Sequence, residues 1–114
     1  MEVTIERFED ADDLHMDGKR DWYYAGTIYL YREQGRIYKA RRYDDTPTEA
    51  SIFFFQFKDI TEGVPYNDPL FLQVVRHLVN EVGIAKIRIL TATEENGYAE
   101  VDISRALSPK VLSQ

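Results

Sequence analysis

The segment EDADDLHMD, Glu9 to Asp17, brings Asp10, Asp12, Asp13, His15 and Asp17 close together in sequence. Carboxylate oxygens at this density are the donors a hard divalent cation takes. The spacing argues against such a site. A calcium loop alternates its acids and needs glycine at the sixth place; counting from Asp10, that place is His15 and the twelfth is Asp21. The stretch reads as a solvated acidic loop, and neither a metal nor another cofactor is expected.

Catalytic chemistry has little to work with. There is no cysteine, so thiol nucleophiles, thiolate metal sites and disulfide scaffolds are excluded. The two histidines, His15 and His77, have no nucleophile beside them in sequence. The carboxylate pairs Asp44-Asp45 and Glu94-Glu95 fall in turns, where solvation and local hydrogen bonds account for them. The glycines are scattered singly, and none builds a phosphate-binding loop. No residue is assigned a catalytic role, and the reading leans away from an enzyme.

The residues that remain are tyrosines and cations. Residues 1–17 hold seven acids against Arg7 alone, whereas residues 18–43 hold seven basic residues against Asp21 and Glu33. The formal charge of the chain is −6. An acidic head thus precedes the basic, tyrosine-rich segment WYYAGTIYLYREQGRIYKARRY. Tyrosine beside arginine or lysine is what protein interfaces use. Bases of single-stranded nucleic acid also stack on such rings, although the overall negative charge opposes that second use.

These residues need strands to present them. WYYAGTIYLY and RIYKARRY are β-rich runs around REQG, and a three-residue loop Glu33-Gln34-Gly35 with a left-handed glycine predicts a hairpin. That register opposes Tyr31 to Ile37 and Tyr29 to Lys39. It sends Trp22, Tyr24, Ile28, Leu30, Tyr38 and Ala40 inward and leaves Tyr23, Tyr29, Tyr31, Ile37, Lys39, Arg41 and Tyr43 outward. The outward set, with Asp10, Asp12 and Asp13 of the acidic head, forms the expected partner-binding residues.

VTIERF and EASIFFFQF read as further strands, and AKIRILTA with YAEVDI as a second hairpin around EENG. In that hairpin a Glu95-Asn96-Gly97 loop opposes Ile89 to Ile103, and a two-residue Asn96-Gly97 turn is the alternative. DPLFLQVVRHLVNEVG is the clear helix, with Asp68 as N-cap, Pro69 at the first position and Gly83 beyond the end. Phe71, Val75, Leu78 and Val82 form its apolar stripe; Gln73, Arg76, His77, Asn80 and Glu81 face the rim or water.

Strands in runs with a single helix predict an α+β domain over residues 1–114: about six mostly antiparallel strands in a curved sheet, with helix 68–82 packed on one face. An acidic loop at 9–21 and a loosely held tail at 104–114 complete it. The phenylalanine run belongs on a central strand, because at an exposed edge it would template aggregation. One helix covers one face, so strand 51–57 needs a second cover, from this chain or from another copy. The longest apolar run is far short of the roughly 20 residues a membrane helix needs. Residues 1–17 are acidic rather than basic-then-apolar, so a cytoplasmic protein without a secretion signal is expected.

The function expected is a non-catalytic protein-interaction module: a small acidic inhibitor or antitoxin-like partner of a basic protein, or a homodimeric binding protein. One alternative is a single-stranded nucleic-acid binder using Tyr29, Tyr31, Lys39 and Arg41. The other is a small-molecule binder or enzyme with a helix–sheet pocket involving His77.

Overall fold

The structure, a computed structural model, describes residues 1–11, 23–56, 63–91 and 97–108, with the backbone alone at Asp10, Ala11, Tyr23 and Gln56. Six strands, β1 (Glu2–Ala11), β2 (Tyr23–Glu33), β3 (Arg36–Tyr43), β4 (Glu49–Gln56), β5 (Lys86–Leu90) and β6 (Tyr98–Glu100), form one sheet in chain order. All neighbouring pairs are antiparallel except β4 and β5, which are parallel. The exception follows from the helix: α1 (Pro69–His77) lies between these strands in sequence, and a crossover of that length is what a parallel pair requires. The predicted α+β class, central phenylalanine strand and single main helix are all present. The expected curvature is slight.

The ends of α1 are built as the sequence implies. The Asp68 carboxylate accepts the Leu70 N–H at 3.1 Å, Pro69 opens the helix, and Gly83 closes it in the left-handed conformation, φ 89°. Its last turn, Leu78–Val82, relaxes into a π-helix. Leu70, Phe71, Leu72, Val74, Val75 and Leu78 are buried, and they pack on Ile52, Ile87 and Ile89 of the sheet, all at 0% exposure.

The first hairpin departs from expectation by one residue. Gln34 (φ 51°) and Gly35 (φ 78°) both lie in the left-handed region, so the connection is a two-residue turn that pairs Glu33 with Arg36. Such primed turns match the right-handed twist of the strands they join. Because side chains alternate, a one-residue slip exchanges the faces of one strand relative to its partner. Tyr31 therefore stands opposite Tyr38, and Tyr29 opposite Ala40. Tyr29 and Tyr31, predicted outward, are buried at 3% and 0%. Tyr24, Ile28 and Leu30, predicted inward, lie on the face away from α1, with Tyr24 47% exposed. On β3 both assignments hold: Tyr38 and Ala40 are buried, and Ile37, Lys39, Arg41 and Tyr43 point the other way. Trp22 lies outside the described residues.

β4 departs from the strict alternation of an ideal strand, which would set Ile52 and Phe54 on one face and Phe53 and Phe55 on the other. Lys39 pairs with Phe54 but Ala40 with Ile52, so Phe53 is an extra residue, a β-bulge. The bulge breaks the alternation: Ile52 and Phe55 face the helix, while Phe53 and Phe54 share the opposite face. Phe57 lies outside the described residues. In the second hairpin Ile89 opposes Ala99 rather than Ile103, a slip of four residues. An even slip leaves the faces unchanged, and Ile87, Ile89, Thr91 and Val101 are buried as expected.

Both termini are more structured than expected where they are described. β1 continues through Glu9 and Asp10 to Ala11, paired with Tyr23, and the rest of the expected acidic loop, 12–21, lies outside the described residues. Asp102 caps a short helix α2 (Ile103–Ala106) by accepting the Arg105 N–H at 3.1 Å, and Ala106 is fully buried; residues 109–114 of the expected tail lie outside the described residues. No described helix is long and apolar enough to cross a membrane.

Candidate binding surface

The face of the sheet away from α1 is built from alternate residues of all six strands. Strand pairing sets Thr4, Leu30, Lys39 and Phe54 in one row across it, and Glu6, Ile28, Arg41, Ser51, Arg88 and Glu100 in the next. Acids occupy the two edge strands and cations the middle. No described element packs over this face, and Phe54 is 37% exposed on a central strand.

Cationic side chains cover the rings. Lys39 Nζ lies 4.9 Å from the centre of Phe54, and the Arg41 guanidinium lies 4.9 Å from Phe53 and 5.2 Å from Tyr43. Arg88 approaches Tyr98 at 5.9 Å. These contacts let long stems shield apolar area while the charge stays near water. Arg41 Nε is buried without a hydrogen-bond partner, and among the described residues its guanidinium has rings rather than a carboxylate beside it.

Beside them stands an aromatic group formed by Phe8, Tyr24 and Tyr43, with ring centres 5.8 Å (Phe8–Tyr43) and 5.6 Å (Tyr24–Tyr43) apart. Gly26 makes room for it: a Cβ there would stand 2.8 Å from the Phe8 ring and 2.2 Å from the Arg42 carbonyl oxygen. A side chain at position 26 would therefore collide with both the Phe8 ring and the neighbouring backbone.

Of the predicted partner-binding residues, the structure brings Ile37, Lys39, Arg41 and Tyr43 together on this open face. Tyr29 and Tyr31 are not part of it. Both are in the core, where Tyr31 meets His77 and Tyr29 makes an edge-type ring contact with the same imidazole. Burial, and the neighbouring Tyr29, push the Tyr31 phenol far above its ordinary range. Tyr23 and Asp10 are placed by backbone pairing alone, and Asp12 and Asp13 lie outside the described residues. Sequence reasoning missed Phe8, Tyr24, Phe53 and Phe54. The glycine at the second position of Gln34-Gly35 is the signal that favours the two-residue turn and would have recovered Tyr24.

On the covered side a polar network ties the sheet to the helix start. The Tyr38 hydroxyl donates to Asp68 at 2.5 Å, and Arg36 forms an ion pair with the same carboxylate. Burial first, then the Asp68 bond and charge, hold the Tyr38 phenol protonated far above its usual range, against the opposing pull of Arg36. The buried apolar side chains of α1 pack on the sheet, and His77 lines a cleft of about 770 Å³ on the outer flank of α1, with Tyr66, Leu72, Arg76 and Arg105. Among the described residues no cluster of three or more potential metal ligands occurs. No family model, curated protein or solved structure matches this chain.

Proposed function

We propose that the protein is a non-catalytic interaction module that docks another protein on the open face of its sheet. The observation that carries this reading is Phe54: a phenylalanine 37% exposed at the centre of a six-stranded sheet, beside Phe53 and Tyr43, with a cation over its ring and no described element packed on it. Aromatic residues with arginine at the middle and charge at the rim are the composition of interface centres. Cation–ring contacts of this kind are worth about 0.5–1 kcal/mol at exposed sites, so a partner's side chains displace them at small cost.

One feature favours protein over nucleic acid: phosphates would meet Glu2, Glu6 and Glu100 on the two edge strands. A cation-centred, acid-edged face complements a partner patch with acids at its middle and cations at its border. The cysteine-free sequence suits a reducing cytosol.

The test compares the wild-type chain with Phe54→Ser and Arg41→Glu. Sedimentation velocity reads self-association, cross-linking in the source lysate reads a different partner, and fluorescence anisotropy with a labelled oligonucleotide at about 50 mM salt reads the nucleic-acid alternative. A dimer or a cross-linked protein that both substitutions abolish is expected. Partners retained unchanged by both variants, or an anisotropy change with the oligonucleotide that either variant abolishes, would overturn the reading.

A further inference from the structure

The cleft on the outer flank of α1 is separate from the open sheet face, since α1 packs on the opposite side of the sheet. Its floor is one continuous helical stripe. Pro69, Leu72 and Arg76, with Gln73 and His77 in the row beside them, repeat at spacings of three and four, and the π-helical turn extends the stripe through Asn80 and Glu81. Its wall is Tyr66 together with Arg105, which α2 brings over the ring at 4.1 Å. The Tyr66 hydroxyl is itself anchored, accepting the Asp102 N–H at 2.8 Å. The volume of about 770 Å³ is in the range of small-ligand sites.

The polar groups here converge in kind. Tyr31 is fully buried, and its hydroxyl lies 2.8 Å from His77 Nδ1. A buried hydroxyl proton needs an acceptor, and Nδ1 is the one in reach. With Nδ1 engaged by Tyr31, Nε2 is the imidazole nitrogen left for a ligand, and it donates whenever it carries the ring proton. Arg76, from the adjacent helical position, and Arg105, from α2, add two guanidinium groups. Imidazole N–H and guanidinium forks are donors without a compensating acceptor, and their natural complement is an oxyanion. Leu72, Pro69 and the ring of Tyr66 supply an apolar wall beside them, while Glu81, a turn beyond His77, bars the anionic group from that end.

We propose that this cleft binds a small organic oxyanion, its carboxylate or phosphate held by Arg76, His77 and Arg105 and its apolar or aromatic body laid against Tyr66 and Leu72. The two oxyanions differ in charge and in number of acceptors, so two probes separate them.

The experiment titrates the full chain with benzoate and with phenyl phosphate, using benzyl alcohol as the uncharged control, and follows the backbone resonances of α1 and α2 by heteronuclear NMR. Saturable shifts centred on Arg76, His77 and Arg105 with at least one anion, and none with benzyl alcohol, are expected. Arg76→Gln with Arg105→Gln should weaken the bound anion by about tenfold or more. Both side chains are exposed, so the double variant is expected to keep its thermal midpoint, and that measurement guards against a folding artefact. Phe54→Ser should leave the titration unchanged, which separates the fate of this site from that of the sheet face. No saturable shift with either anion, equal shifts with benzyl alcohol, or unaltered affinity in the double variant would overturn the proposal.

Discussion

On the covered side of the sheet Ile52, Ile87 and Ile89 lose all contact with water beneath α1, whereas on the other side of the same strands Phe53, Phe54 and Leu90 remain partly or largely accessible. The covered face is stabilised by removal of apolar area, worth about 25 cal/mol per Å². The open face is shielded by the stems and charges of Lys39 and Arg41, a much weaker and reversible cover. One sheet thus has two unlike faces: one holds the fold, and over the other no described element packs.

The largest effects should divide along that line. Phe71→Ala removes a fully buried ring and is expected to cost about 3–5 kcal/mol. Phe54→Ser should cost about 1 kcal/mol or less. Urea denaturation of both variants measures the contrast, and equal losses would mean that the open face is structural after all.

A medium effect compares two arginines. Arg36 pairs with Asp68, a buried carboxylate that also accepts from Tyr38 and from the Leu70 N–H. Asp68→Ala strips the cap and leaves buried donors unmatched, so a loss of about 2–3 kcal/mol is expected. Among the described residues Arg41 has rings rather than a carboxylate beside it, and Arg41→Ala should change the midpoint of unfolding only slightly.

The smallest effect belongs to a surface pair. Arg7 grips Asp44 with two hydrogen bonds of 2.7 and 2.6 Å, and this holds the Asp44 carboxyl below its usual range. A folded-state pKa below the unfolded one contributes stability that is full above about pH 3.9 and is lost as pH falls through the folded value. Asp44→Asn should therefore flatten the acid limb of the stability profile a little at low salt, and raising salt to about 1 M should erase the difference. A difference that persists at high salt would indicate a role beyond the exposed ion pair.

Much of this architecture was legible in the chain because it depends on short-range signals. Asp68-Pro69 and Gly83 bracket the helix, the stripe from Phe71 to Leu78 identifies its buried side, and the phenylalanine-rich run requires a central position. The two hairpins show where legibility fails. In the second, the expected register was wrong by four residues, yet the buried set survived because an even slip preserves the faces. In the first, a slip of one residue exchanged Tyr29 and Tyr31 for Ile28 and Leu30. Two of the seven hairpin residues expected outward changed sides in that exchange. Composition gave no warning, since tyrosine and isoleucine are both good strand residues on either face.

The amino-acid order alone determined which segments become strands and which becomes the helix, because capping, turn residues and hydrophobic period act over a few positions. Tertiary structure decided which side chains of those strands meet a partner. Turn type and the bulge at Phe53 are settled by the match between strand twist and packing against α1, and only that long-range fit pairs Tyr31 with His77, Tyr38 with Asp68, and Phe53 and Phe54 with the cations beside them.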